Sequence, residues 1–423
     1  MRNFRSVLLF AELGDNLGRM SINPAIQAAS VRILLVVLFV VVSDLAAMAQ
    51  ASRESFRKFL AEHISLTDAE IAGLDNGDLV VRILKGKDKR EVSVFGAVRL
   101  DQFENIDLAA FRDGLSQRGN DSMLGGARFG TPPALQDMAV LTLDDRDIEG
   151  MRNCVVGDCD LKLSAAMIKR LQAVDWNAAD HAVRATDVLK DSLVAYAQDY
   201  LVRGDRALIE YVDKKKVVSL AEEYQLLLND SVFVRNIAPE FENYLRKFPA
   251  VQLSGVENRL DWSKIDSGLK PIIALTHGVT YARYVNNDRL LLLATKQIYA
   301  SHYVDASLAF SAFVRFGAGD NGEAYLVFTD ISRSDALGGA LSGMAHAVVE
   351  REAEQRVREL LENAKARLEA RSRNQPVPVS EPTKNGIFSR IAAFAGGSAF
   401  SLILILCVAA VAVYFFFRSR ADR

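Results

Sequence analysis

Only three cysteines, two tryptophans and five histidines occur in the 423 residues, and neither sign of charge dominates. Three cysteines are too few for a disulfide-built scaffold. The histidines are His63, His181, His277, His302 and His346. None forms an i,i+4 pair, and His-Glu-x-x-His is absent, so a helical zinc motif is excluded. With 51 Lys+Arg against 53 Asp+Glu and a formal net charge of -2, no cationic excess exists to neutralise a phosphate backbone. A nucleic-acid partner is therefore not expected. Also missing are a Gly-x-Ser-x-Gly elbow and a Walker A loop. One Gly-x-Gly-x-x-Gly match stands at Gly317, Gly319 and Gly322. A strand pattern follows it rather than a helix, so it reads as a hairpin turn and not as a dinucleotide loop. No cofactor, metal or catalytic residue is expected from these motifs.

Half of the chain is hydrophobic and a quarter is charged, which argues against wholesale disorder. A mean hydropathy of +0.08 is high for that much charge, and two terminal runs supply much of it. Residues 33–42 read ILLVVLFVVV after Arg32, with Ala47-Met48-Ala49 beyond. That run is shorter than the roughly 20 residues a membrane-spanning helix needs. A basic residue, a short apolar stretch and small residues predict a signal peptide over 1–49, cleaved before Gln50, with Met20 as an alternative start. An uncleaved N-terminal anchor is the competing reading. Residues 391–417 carry no charge, are preceded by Arg390, and are followed by Arg418, Arg420 and Arg423. They predict one transmembrane helix with a cytoplasmic tail, 418–423, on the positive-inside tendency. Pro376, Pro378 and Pro382 make 372–390 a linker.

Between these ends lies a body, 50–371. Thr67-Asp68-Ala69-Glu70 is a capping box. Residues 79–84 and 91–100 predict a hairpin whose second strand is apolar on both sides, as a central strand would be. A short helix is expected over 105–115, a loop over 120–133 and strands over 139–143 and 207–212. Residues 164–249 read as a mostly helical insertion, with helices over 178–201, 219–228 and 238–245. Four strands follow, over 272–284, 289–300, 302–316 and 323–331, and their short links predict an antiparallel meander. The third alternates an apolar face with a mixed one, which predicts one wet side. A long helix after Ser334-Asp335 runs to Arg371 with an apolar stripe through Leu337, Leu341, Met344, Val348, Ala353, Val357, Leu361 and Leu368. Its first turns are expected on the sheet, and the rest is expected to project toward the linker. The fold class predicted is α+β: an antiparallel meander, a helical insertion and a long C-terminal amphipathic helix.

That order of elements resembles the helix-grip arrangement of the START-like superfamily. The phrases LKPIIALTHGVTYARY, ATKQIYASHYVDASLAF and YLVFTDISRSDALGG are similar to uncharacterised exported bacterial membrane-anchored proteins. The first resemblance implies a cavity between sheet and last helix that holds an apolar ligand or lipid. The second implies a single-pass protein of the inner (cytoplasmic) membrane with its body on the periplasmic side. The long insertion departs from compact START-like domains.

Cys154 and Cys159, with Gly157-Asp158 between them, predict a small disulfide loop in an exported body. His277, Lys296, Tyr299, His302 and Tyr303 form the one polar grouping on the predicted strands. Together with Leu341 and Met344 of the helix they are the candidate ligand-binding residues. The competing readings are a wet sheet face, an acid-base site at His277 and His302, and an envelope protein that docks a protein partner.

Overall fold

The computed structural model describes residues 52–115, 123–266, 270–285, 288–317, 322–338 and 342–376. The expected leader and transmembrane segments lie outside them. No helix among the described residues is long and apolar enough to cross a membrane.

Alternating apolar positions over long, glycine-poor stretches give the chain its strands. The first hairpin is β1 (Val80–Leu84) and β2 (Glu91–Leu100). The edge strand β3 (Met123–Arg128) comes next. A two-stranded ribbon, β4 (Glu210–Tyr211) and β5 (Val218–Ser219), lies within the insertion. The meander is β6 (Val256–Ile265), β7 (Ile272–Val285), β8 (Asp288–Ala300), β9 (Ala306–Phe316) and β10 (Glu323–Arg333). Eight strands make one sheet in the order β1-β2-β10-β9-β8-β7-β6-β3. Every neighbouring pair is antiparallel. Strand β10 joins the two ends of the body, pairing β9 on one side and β2 on the other from Ala324↔Leu100 to Arg333↔Glu91.

Helices cover both faces. The helices are α1 (52–63), α2 (Asp68–Asp75), α3 (Leu108–Leu115), α4 (Asp145–Arg152), α5 (Ala165–Gln172) and α6 (His181–Arg203). Then come α7 (Leu220–Asp230), α8 (Val232–Ile237), α9 (Pro239–Lys247) and the long α10 (Ser342–Ser372). One core joins the insertion to Leu275, Val279, Leu292, Phe310 and Val327. The other joins α3 and α10 to Val94, Val98, Leu291, Phe313 and Leu326. The two sets alternate along each strand, as pleating requires. The mixed face of β9 is therefore not wet: Ser307, Ala309, Ser311 and Phe313 are all buried.

Other expectations change. Residues 120–133 contain β3, whose Gly125-Gly126 hid the strand pattern. Gly126 is required there, because a Cβ would stand 2.8 Å from the carbonyl oxygen of Trp262 on β6. Strand β6 itself was missed because it is charged along much of its length, and residues 139–143 are not a strand. The predicted helix from Ser334 is divided into a short 3-10 turn, Asp335–Leu337, and α10. Its later half does not project. Val357, Leu361 and Leu368 are buried on β2 and α3, with Val349 buried and Val348 exposed.

The end of the sheet where β2 begins and β10 finishes is closed by ions. Arg333 pairs with Glu91 (2.8 Å), Glu223 (2.9 Å) and Asp230 (3.5 Å). Arg90 meets Asp88 (2.7 Å), Glu223 (2.9 Å) and Asp305 (3.6 Å). Lys162 reaches Asp305 at 2.6 Å and Asp213 at 3.9 Å. The disulfide Cys154–Cys159 stands beside this network. Its loop bonds the ribbon segment through Gly157 N–H to Val212 O (2.7 Å) and Cys159 N–H to Asp213 O (2.9 Å).

The close fit of α10 on β2 gives a direct test. A Cβ at Gly96 would meet Val357 Cγ1 at 2.5 Å and Leu361 Cδ1 at 2.7 Å. Gly96→Ala is expected to destabilise the fold by about 1–3 kcal/mol in urea unfolding, the usual cost of overpacking. An unchanged midpoint would mean that α10 does not sit on β2 in this way.

Candidate functional site

The polar positions singled out on the strands separate into different places. His277 on β7 and Lys296 on β8 are register partners and share the face covered by the insertion. Both are buried. The Tyr200 hydroxyl donates to His277 Nδ1 (2.9 Å), and Nε2–H donates to Asn258 Oδ1 (2.9 Å). Burial, aided by the nearby Lys296, pushes His277 down to about 3, so the ring stays neutral near pH 7. Lys296 is also lowered by burial, against the pull of Asp205, with which it pairs. Its ammonium lies 4.5 Å from the ring centroid of Tyr224. Tyr224 in turn bonds the carbonyls of Gln297 and Ser307. This cluster ties α6 and α7 to the sheet. Its histidine titrates far from the range in which acid-base work at neutral pH is done.

His302 stands elsewhere. Beyond β8 the chain leaves the sheet and turns through Tyr303, whose φ is 63°. His302 Nδ1 lies 3.1 Å from Asp160 O, and Nε2 lies 3.2 Å from Asp147 Oδ1. It shares no partner with His277. The Tyr303 hydroxyl accepts from Lys270 N–H (3.2 Å). Tyr299 is buried on the insertion side against Tyr211, with ring centroids 6.3 Å apart, and its hydroxyl has no hydrogen-bond partner. Burial pushes this phenol up. Leu341 and the side chain of Met344 lie outside the described residues. The seven predicted ligand-binding residues therefore do not converge. His277 and Lys296 stand together, Tyr299 on the same face, and His302 and Tyr303 at the sheet end.

The opposite face carries a more telling arrangement. Thr276, Gly278 and Thr280 of β7, Thr295 and Gln297 of β8, Ser307, Ala309 and Ser311 of β9, and Asp330 and Ser332 of β10 all point to the side of α3 and α10. Register fixes this: Gly278↔Thr295, Thr295↔Ala309 and Ala309↔Asp330 form one row across four strands. The row beside it runs Thr276↔Gln297, with Ser307↔Ser332 further along. Thr276, Thr295, Gln297, Ser307, Ser311, Asp330 and Ser332 are each at most 2% exposed. Yet Thr276 Oγ1, Thr295 Oγ1, Gln297 Oε1 and Ser311 Oγ have no hydrogen-bond partner among the described residues. A buried hydroxyl or amide oxygen normally finds a partner, and leaving one unmet costs about 1–3 kcal/mol. Four such atoms lie together on one patch of small side chains.

Asp330 is the centre of charge on this patch. The Ser332 hydroxyl lies 3.0 Å from both carboxyl oxygens, and the Ser307 hydroxyl lies 3.3 Å from Oδ1. Burial pushes Asp330 up to about 8, with the two hydroxyls pulling the other way. The signal was present in the sequence as polar residues at alternate positions within each of four consecutive strands, even-numbered on β7 and β10 and odd-numbered on β8 and β9. Alternation within a single strand had instead suggested a solvated face.

Elsewhere the described residues offer open surface clefts. One of about 570 Å³ is lined by Asp145, Glu149, Asp160 and Lys270, and another of about 430 Å³ by Lys85, Lys87, His346 and Glu350. No group of three or more metal-ligating side chains occurs among the described residues.

Two measurements check these assignments. Asp205→Asn is expected to destabilise by about 3 kcal/mol, because the Lys296 ammonium loses its buried partner. Adding Lys296→Met should recover much of that loss in urea unfolding. For Asp330 the folded value lies above the ordinary 3.8, so the folded chain holds a proton that the unfolded chain has lost. The stability contributed is full below about pH 4 and is lost as pH rises toward 8. Asp330→Asn is therefore expected to gain steadily on the wild type as pH rises through that window, measured by urea unfolding at each pH. Parallel pH–stability curves for the two proteins would refute this.

Compared with known proteins, the chain matches no family model and no curated protein, so the geometry of the buried face is the ground on which a function is assigned.

Proposed function

We propose that this is a membrane-tethered envelope protein whose α+β body binds an amphipathic small molecule or lipid between the Asp330 face of the sheet and its C-terminal helix, without catalysis. The observation that carries the reading is the set of unpaired buried oxygens on Thr276, Thr295, Gln297 and Ser311. Around them lie Gly278 and Ala309, which keep the surface low, and Leu293, Phe313 and Phe328, which make its margin apolar. A pocket that is mainly apolar with a few fixed polar groups is the usual form of a small-molecule site. Helix α10, packed on β1, β2 and β10, supports a helix-grip-like use of the sheet. The uncharged segment 391–417 and the proline-containing spacer support a tether that holds the body near a bilayer. On this reading the body faces the periplasm.

Mass spectrometry of organic extracts from the purified full chain is expected to return an amphiphile in near-stoichiometric amount. Ala309→Leu should abolish its recovery while changing stability by less than about 1 kcal/mol, since the added volume takes the ligand's place. Wild-type protein that yields no bound small molecule, or a variant that loses 1–3 kcal/mol as in a filled core, would sink the reading.

A further inference from the structure

We propose that the head group received by this face is a protonated amine, held between the carboxyl of Asp330 and the hydroxyl of Thr295 over the methyl of Ala309. This rests on the reading of that face as a ligand site and specifies what the site selects.

The first ground is the kind of atom on offer. Around Ala309 the polar groups are the Asp330 carboxyl, Gln297 Oε1 and the hydroxyls of Thr276, Thr295, Ser307, Ser311 and Ser332, while further out on the same face Thr280 bonds Glu257 O and Arg259 is held by Asp261. An ionised carboxylate and an amide oxygen only accept, and a hydroxyl accepts as well as donates; the proton that Asp330 carries in the empty site is given up when a cation arrives. The one amide N–H₂ of the set, on Gln297, is directed at Tyr299 O (3.4 Å). A ligand rich in donors is complementary to such a surface, and one rich in acceptors is not.

The second ground is charge. Asp330 forms no ion pair with any described residue, in contrast to the carboxylates at the end of the sheet. The nearest of those cations along the strand, Arg333, belongs to the opposite face, where it holds Glu91 and Glu223. A buried carboxylate without a cation keeps its proton instead of its charge, and an incoming ammonium supplies the partner with which the charged form is held. The two serine hydroxyls already bonded to Asp330 favour its ionised form once a cation is present.

The third ground is spacing. Thr295, Ala309 and Asp330 are register partners on three adjacent strands. Neighbouring strands lie about 4.8 Å apart, so the outer two are separated by roughly 9–10 Å with only a methyl group between them. An ammonium nitrogen over Ala309 is then within hydrogen-bond reach of side chains on both sides. A bare metal ion is not suited to this span, because oxygen ligands must close to about 2.0–2.6 Å around it. The apolar margin at Leu293 and Phe313 receives an attached alkyl chain.

Isothermal titration of the full chain in lipid nanodiscs, with empty discs subtracted, distinguishes the head groups. The probes are hexylamine, hexanol and hexanoate, which share a chain length and differ in the terminal group. Hexylamine is expected to bind at least tenfold more tightly than hexanol, and hexanoate more weakly than either. Asp330→Asn should remove the preference for amine while leaving hexanol binding in place. Thr295→Val, which keeps the shape of the side chain, should weaken hexylamine several-fold and provides the test should the first variant not fold. Amine binding at pH 7 should also expel about one proton, read as a heat that changes with the ionisation enthalpy of the buffer. Equal affinity for hexylamine and hexanol, or an amine preference that survives Asp330→Asn, overturns the amine assignment and leaves the ligand site standing. Failure of all three probes to bind overturns both.

Discussion

The buried ion network around Arg333 is the constraint on which the body depends. Its guanidinium, on the last residue of β10, holds Glu91 at the first residue of β2 and Glu223 in α7. Through Arg90 and Asp305 the network extends to Lys162 at the start of the insertion. A hairpin near the beginning of the body, its final strand and the middle helices thus meet at one charged junction. Each charge there has been taken from water, so none is tolerable without its partners. The network specifies how the parts meet more than it adds net stability, since apolar side chains of similar volume often replace such ions without loss.

The sheet divides the molecule into two unlike halves. Toward the insertion, His277, Lys296, Tyr200 and Tyr224 all have partners and lock helices to strands, with the Tyr299 hydroxyl the exception. Toward α3 and α10, the polar side chains of the middle strands are buried but partly unmet. The same alternation that builds a sheet makes this difference possible, because adjacent residues of one strand serve different masters. Asp330 and Ile331 are neighbours in the chain and belong to opposite environments.

The meander was legible because β7 to β10 are long and apolar at alternate positions. Antiparallel order followed from their short links. Strand β6 was hidden by its charges, several of which find partners: Arg259 with Asp261, and Lys264 with the carbonyl of Thr142. The pairing of His277 with Lys296 was near at hand, since both lie on predicted strands. His302 was misplaced because Tyr303 reverses the backbone just where the alternation seemed to continue. Alternation tells which side of a strand a residue is on. It does not tell what covers that side, and so the face of β9 with Ser307 and Ser311 read as solvated. The C-terminal helix shows the same limit: its stripe was correct at Val357 and Leu361 but not at Val348, where the neighbouring Val349 is the buried one.

The place of β10 between β2 and β9 has a consequence for how the chain acquires its structure. Ala97 pairs with Val327, which lies 230 positions later (327 − 97), a long-range contact by any measure. Such contacts slow folding, because a large loop must close before they form. As the chain emerges from synthesis, the inner edge of β2 stays without its neighbour until the final strand appears. Throughout that interval Phe95 and a row of backbone N–H and C=O groups remain open to whatever else can pair with them. Chaperone protection is therefore needed most when the body is almost complete, and a chain cut short before Glu323 keeps that sticky edge permanently.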